Sequence, residues 1–113
     1  MMDAVQIGLS GMRAATTVVV ARASNIANVN TKGYLPVEPV LKSVDGGVQA
    51  ILSRPTLAPD TQQALAQMPG GAVDLTDELV QMRYAEIAYR ASAKVVATAN
   101  QMQDEALNII APR

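Results

Sequence analysis

The sequence predicts a mainly α fold: two long terminal helices packed as an antiparallel coiled-coil-like pair, with a small β-hairpin insert between them. Three observations lead there. Residues 74–110 carry apolar side chains at helical spacing on two adjacent faces, and residues 3–28 carry them on one. The stretch between is punctuated by Pro36, Pro39, Pro55, Pro59 and Pro69-Gly70-Gly71, which forbid a continuous helix. The chain has no Trp or Phe and only three Tyr, so its interior must come from Ala, Val, Leu, Ile and Met, which suits helix-on-helix packing. A single domain over residues 1–113 is expected, with a helix at 3–28, a β-rich insert and linker at 34–72, and a helix at 74–110.

The C-terminal helix organises the chain. Leu75, Leu79, Met82, Tyr89, Ala93 and Val96 recur at steps of three and four, broken once at Glu86, and are expected to form the helix-pair seam. Val80, Tyr84, Ile87, Ala91, Val95, Thr98, Met102, Ala106 and Ile109 line a neighbouring face. One partner cannot cover both, so Val80, Tyr84, Ile87, Val95, Met102 and Ile109 are expected to meet other subunits. At ~1.5 Å per residue this helix is roughly 55 Å long, more than a compact domain of this size needs. Asp74 sits where a helix N-cap belongs and, with Asp77 three residues on, resembles a capping box; Asp77 and Glu78 complement the positive end of the helix dipole.

In the N-terminal helix the seam is Val5, Leu9, Met12, Thr16, Val19, Ala23 and Ile26, on alternating steps of four and three. Gly8 and Gly11 each cost about 1 kcal/mol relative to Ala. Val18, Val19 and Val20 are β-branched, so this helix depends on a partner. It should stop within Asn28-Val29-Asn30-Thr31-Lys32-Gly33, since Asn and Gly tolerate the left-handed backbone of a helix C-terminus. Extended runs at 37–44 and 48–53 flank Asp45-Gly46-Gly47, a hairpin turn, and Pro39 confines the first run to a sheet edge. Asp60 or Thr61 is expected to cap a short helix ending near Met68. The terminal helices then pack antiparallel, with the insert projecting from one end of the pair.

Composition excludes several function classes. Nine basic and ten acidic residues give a net charge of -1, so no nucleic-acid partner is expected. The charges are nevertheless sorted: residues 1–34 carry Arg13, Arg22 and Lys32 against Asp3, while residues 74–113 carry six acids against four bases, which favours pairing the two ends. With no His and no Cys, the commonest general base, metal ligand and thiol nucleophile are gone. Asp74, Asp77 and Glu78 read as caps rather than an acid/base pair. Neither catalysis, metal nor cofactor is therefore expected. The apolar run at 16–21, bracketed by Arg13 and Arg22, is too short to cross a bilayer, so neither membrane insertion nor a cleaved signal peptide is expected.

Two blocks carry a family resemblance. Ser24-Asn25-Ile26-Ala27-Asn28-Val29-Asn30-Thr31-Lys32-Gly33-Tyr34, preceded by Leu9-Ser10-Gly11-Met12 and Ala14-Ala15, resembles the N-terminal signature of the bacterial flagellar rod and hook proteins. Val73-Asp74-Leu75, Glu78-Leu79-Val80, Met82, Ala88-Tyr89, Ala93-Lys94-Val95 and Leu107-Asn108-Ile109 resemble that family's C-terminal block. The family's large middle domains are absent, a brevity similar to its proximal-rod members. The resemblance implies a structural subunit of the periplasm-spanning basal-body rod, serving motility and exported through the flagellar type III apparatus. It would self-assemble with copies of itself and with other rod or hook subunits. It further implies that Ser24, Asn25, Ile26, Ala27, Asn28, Asn30, Thr31, Gly33 and Tyr34 form a joint setting the angle at which the insert leaves the helices. The competing reading is a soluble helical adaptor or chaperone-like interaction module of the flagellar system, which predicts a discrete dimer.

Overall fold

The computed structural model describes residues 2–67 and 73–112. In chain order the elements are α1 (Met2–Ala27), β1 (Glu38–Val44), β2 (Gly47–Ser53), α2 (Pro59–Ala66) and α3 (Leu75–Ile110). The long helices pack together along their lengths, antiparallel, with the start of α3 against the end of α1. The radius of gyration is 19.6 Å, against ~13 Å for a compact domain of this length. The molecule is a rod of 69 × 24 × 14 Å.

The contact line between the helices runs through small residues. Among the described residues the buried apolar side chains are Ala14, Ala15, Ala21, Val37, Ala85 and Ala99, all alanine except Val37. On α1, Gly8, Ala15 and Arg22 recur every seven residues; on α3, Glu78, Ala85, Ser92 and Ala99 do the same. Read antiparallel, Arg22 faces Glu78 and Gly8 faces Ser92. This is the reason for Gly8, whose helix cost is offset by closeness: a Cβ there would lie 2.6 Å from Val96 Cγ2 and 3.2 Å from the Ser92 carbonyl oxygen. On the expected seam, Val5, Met12, Val19, Ile26, Met82 and Val96 are half-buried, while Leu9, Leu75, Leu79 and Tyr89 stay exposed. The closest approach on α3 lies one residue over from Leu79, because alanine, serine and glycine let the backbones come nearer than leucine would.

The hairpin is a two-stranded antiparallel sheet in which Glu38 pairs with Ser53 and Val44 with Gly47. Gly46, at φ 82, supplies the turn's second central position. The insert does not project from the end of the pair, as the chain order suggested. It doubles back along α1: β1 starts beside Asn25, and at the far end the backbone N–H of Val48 donates to Ser10 Oγ at 3.1 Å. Seven extended residues cover ~23 Å, close to the ~18 Å that separates residues 22 and 10 along a helix, so the ribbon lies flat on α1.

α2 begins one residue before the expected cap, with Ala58 at the N-cap and Pro59 in the first turn, because proline's fixed φ suits that position and neither Asp60 nor Thr61 is needed to cap. α2 buries no residue. The break at Pro69-Gly70-Gly71 and the expected helix end near Met68 lie outside the described residues. Asp74 does cap α3: its carboxylate accepts from the backbone N–H of Thr76 at 3.1 Å and of Asp77 at 3.2 Å.

α1 from Asp3 to Ala27 is long and apolar enough to cross a membrane, more so than the run at 16–21 taken alone, and only 22% of its most apolar window is buried in the chain. Arg13 near the middle would then meet hydrocarbon at a cost of about 2.5–3.5 kcal/mol, and Arg22 is already committed to α3.

Gly8→Val should therefore wedge α1 from α3 and destabilise the pair by ~1–3 kcal/mol. Denaturant unfolding followed by circular dichroism reads this as a lowered midpoint. An unchanged midpoint would mean that the helices do not approach through Gly8.

Candidate functional site

Where α1 ends, α3 begins and the hairpin takes off, the structure buries a polar cluster. Arg22 and Asn25 stand one turn apart on the same face of α1, Glu78 is in the first turns of α3, and Glu38, which opens β1, closes the cluster from its exposed rim. Asn25 is 0% exposed, Arg22 and Glu78 4% each.

Asn25 uses its whole side-chain amide. Its Nδ2 donates to the Val37 carbonyl at 2.8 Å and to Glu78 Oε2 at 3.1 Å; its Oδ1 accepts from the Val37 N–H at 2.8 Å and from the Tyr34 hydroxyl at 2.9 Å. Both donors and both acceptor sites are filled, and Val37 is paired as if a neighbouring strand lay beside it. The flipped amide would aim its oxygen at a carboxylate and its nitrogen at an N–H, so the network fixes the orientation.

Arg22 forks onto Glu38, with Nη2 to Oε1 at 2.9 Å and Nη1 to Oε2 at 3.2 Å, and its Nη1 also reaches Glu78 Oε2 at 3.3 Å. Its Nε is buried without a hydrogen-bond partner among the described residues. Two carboxylates thus share one guanidinium; the Asn25 amide and the positive N-terminal end of α3 compensate the second charge. Burial alone would pull the Arg22 guanidinium down, but the hydrogen bond and charge of Glu38, followed by those of Glu78, outweigh it and hold the group above its ordinary value. The arginine therefore stays charged wherever the protein is folded. Every strong group here is spent on another part of the same chain, so the arrangement clamps three segments together.

The rest of the Asn-rich stretch builds the turn around this clamp. Ser24 Oγ lies 3.3 Å from the Tyr34 hydroxyl, Asn28 Nδ2 donates to the Ser24 carbonyl at 2.8 Å, and Thr31 Oγ1 donates to Asn28 Oδ1 at 3.1 Å. Gly33 adopts φ 74, and a Cβ there would stand 3.3 Å from Ala66 Cα. The Arg54 guanidinium, just past β2, sits 5.6 Å from the centre of the Tyr34 ring. Ile26 is half-buried; Ala27, which ends α1, and Asn30 are exposed. Asn25 and Tyr34 are thus brought together with Ser24, Asn28 and Thr31, while Asn30 stands apart.

Sequence reasoning missed Glu38 and the polar contacts of the others: Arg22 entered only through the sorting of charge between the two ends, Ser10 only through the family block, and Glu78 through that block and as a cap or dipole partner. The available signal was the seven-residue repeat of small and polar residues on each helix, in which Arg22 and Glu78 occupy matching positions at the ends that antiparallel packing must join. The expected interface residues Val80, Tyr84, Ile87, Val95, Met102 and Ile109 are all exposed in the chain, from 44% at Val80 to 81% at Ile109.

Glu78→Ala strands the Arg22 charge and should cost roughly 3–5 kcal/mol of stability. Arg22→Met combined with Glu78→Leu should recover most of that loss. Thermal melts of the single and double variants test the coupling; strictly additive losses would show that the two side chains do not act on each other.

Residues 70–109 match the family model described as flagellar basal body rod FlgEFG protein C-terminal. The match takes in Asp74, Glu78 and nearly all of α3. No curated protein matches significantly. The segment that carries the helix-pair contact and half of the clamp is therefore the segment that the family model describes, and over that segment, about a third of the chain, the protein is similar to flagellar basal-body rod proteins, which form a structural family rather than a family of enzymes.

Proposed function

We propose that this chain is a structural subunit of the flagellar basal-body rod that polymerises through its terminal helices, against copies of itself and other rod or hook subunits, after export through the flagellar type III apparatus. The observation that carries the reading is the outward face of α3. Val80, Tyr84, Ile87, Val95, Met102 and Ile109 form a stripe running almost the whole helix that stays exposed in the chain. Apolar surface yields about 25 cal/mol per Å² when removed from water. In the isolated chain little is gained, because the interior is almost wholly alanine. A neighbour on the outward stripe would supply what the monomer lacks, and a thinly stabilised monomer is easily unfolded for export. The clamp fits this role as well, since it holds the hairpin at a fixed angle to surfaces that must fit between neighbours.

Immunogold labelling of purified basal bodies tests the location directly: label along the rod is expected, and label confined to the cytoplasm would favour the adaptor reading. Ile87→Glu, at a position 53% exposed, should leave helical content unchanged yet abolish assembly, because the buried carboxylate costs several kcal/mol only once a neighbour covers it. Assembly at wild-type levels would remove Ile87 from the interface. Gly33→Val, which must force a β-branched residue to positive φ, should abolish motility with the subunit still expressed and exported. Motile cells, or subunit lost to degradation, would reduce the joint to an ordinary helix end.

A further inference from the structure

α3 outruns its partner. Ala4, near the start of α1, lies beside Ala99 and Met102 around one depression, and every residue from 104 to 110 is exposed. This overhang of roughly two turns is apolar on several sides, with Leu107 45%, Ile109 81% and Ile110 80% exposed. From residue 95 to 112 its only charges are Asp104 and Glu105, and neither forms an ion pair among the described residues.

On the side of the helix pair away from the hairpin runs an apolar groove. Its two stretches share Thr16 and Tyr89 and are lined further by Leu9, Met12, Val19 and Met82. The fixed charges around it are Arg13, which has no ion pair among the described residues, and Glu86, held by Arg83 at 2.7 Å and Arg90 at 2.8 Å. The groove is thus net positive and the overhang net negative. Groove centre and overhang are about twenty residues apart on one straight helix, ~30 Å at 1.5 Å per residue, so the tail cannot reach the groove of its own chain.

We infer that the α3 overhang of one subunit docks as a helix in this groove of a second copy, with Met102, Ala106 and Ile109 as the spaced anchors and Glu105, which flanks them, set against Arg13. The inference rests on the proposal that the chain polymerises, and names the two surfaces that meet. Tail and groove are different patches, so each docked copy offers both again, and the contact repeats along an axis in steps of about 30 Å.

The chain contains no cysteine, so disulfide trapping is unambiguous. Thr16→Cys and Ile109→Cys chains, mixed and oxidised, should give a cross-linked dimer, whereas Leu41→Cys on the hairpin mixed with Ile109→Cys should not. Arg13→Glu or Glu105→Arg alone should weaken association in sedimentation about tenfold, and both in one chain should restore it. All these positions are exposed, and circular dichroism should show unchanged helix. Wild-type assemblies without the Thr16–Ile109 link, or charge variants that assemble normally, would overturn the docking while leaving polymerisation standing. A trapped pair that never grows beyond a dimer would overturn the repeating contact and polymerisation together. A wild-type chain that stays monomeric at all concentrations would overturn both.

Discussion

The conformation of the chain depends on the burial of Asn25. A neutral amide enclosed by protein must fill all its hydrogen-bonding capacity or be destabilising by roughly 1–3 kcal/mol. Here it does so on the Val37 backbone, the Tyr34 hydroxyl and the Glu78 carboxylate at once. Those partners belong to the hairpin root, the preceding turn and the start of α3, so satisfying one side chain fixes three segments. Arg22 repeats the constraint, joining Glu38 of β1 to Glu78 of α3. Buried ion pairs contribute little net stability. In this chain the consequence is geometric: with β1 pinned beside Asn25, the ribbon is directed back along α1, where Val48 meets Ser10.

The second constraint is the thinness of the helix interface. Gly8 and Gly11 of α1 come against Ser92 of α3, and the buried apolar side chains of the two helices are all alanine, which lets two backbones come close but removes little apolar area from water. The larger apolar side chains are left at the flanks and on the outside. That division accounts for both the elongated shape and the uncovered stripe on α3. Interactions that a globular domain would make within itself are here left for neighbours.

The elements themselves were legible. Apolar periodicity and proline placement delimit α1, α3 and the hairpin to within one or two residues, and Asp74 announces its own helix. The helix-pair seam was read less well, for a specific reason. Periodicity weights large side chains, and so pointed to Leu75 and Leu79, while the closest contact passes through Glu78, Ala85 and Ser92. Glu78 looked like one of three acids in a first helical turn; its pairing with Arg22 depends on which ends meet. The direction of the hairpin was not legible at all, since it follows from one asparagine amide and one serine hydroxyl. The Ser24–Tyr34 stretch stood out as a motif, but it did not show that Asn25 is the side chain enclosed there while Asn30 is exposed.

Asn25, with the hairpin root and the start of α3 bound to its amide, should hold the hairpin at one fixed orientation to the helix pair. Spin labels at Lys42→Cys on β1 and Lys94→Cys on α3, both exposed positions, would report that orientation as an electron–electron distance. A single narrow distribution is expected, broadening when Asn25→Ala is added while helical content persists. A distribution broad from the outset, or one that Asn25→Ala leaves narrow and unmoved, would contradict it.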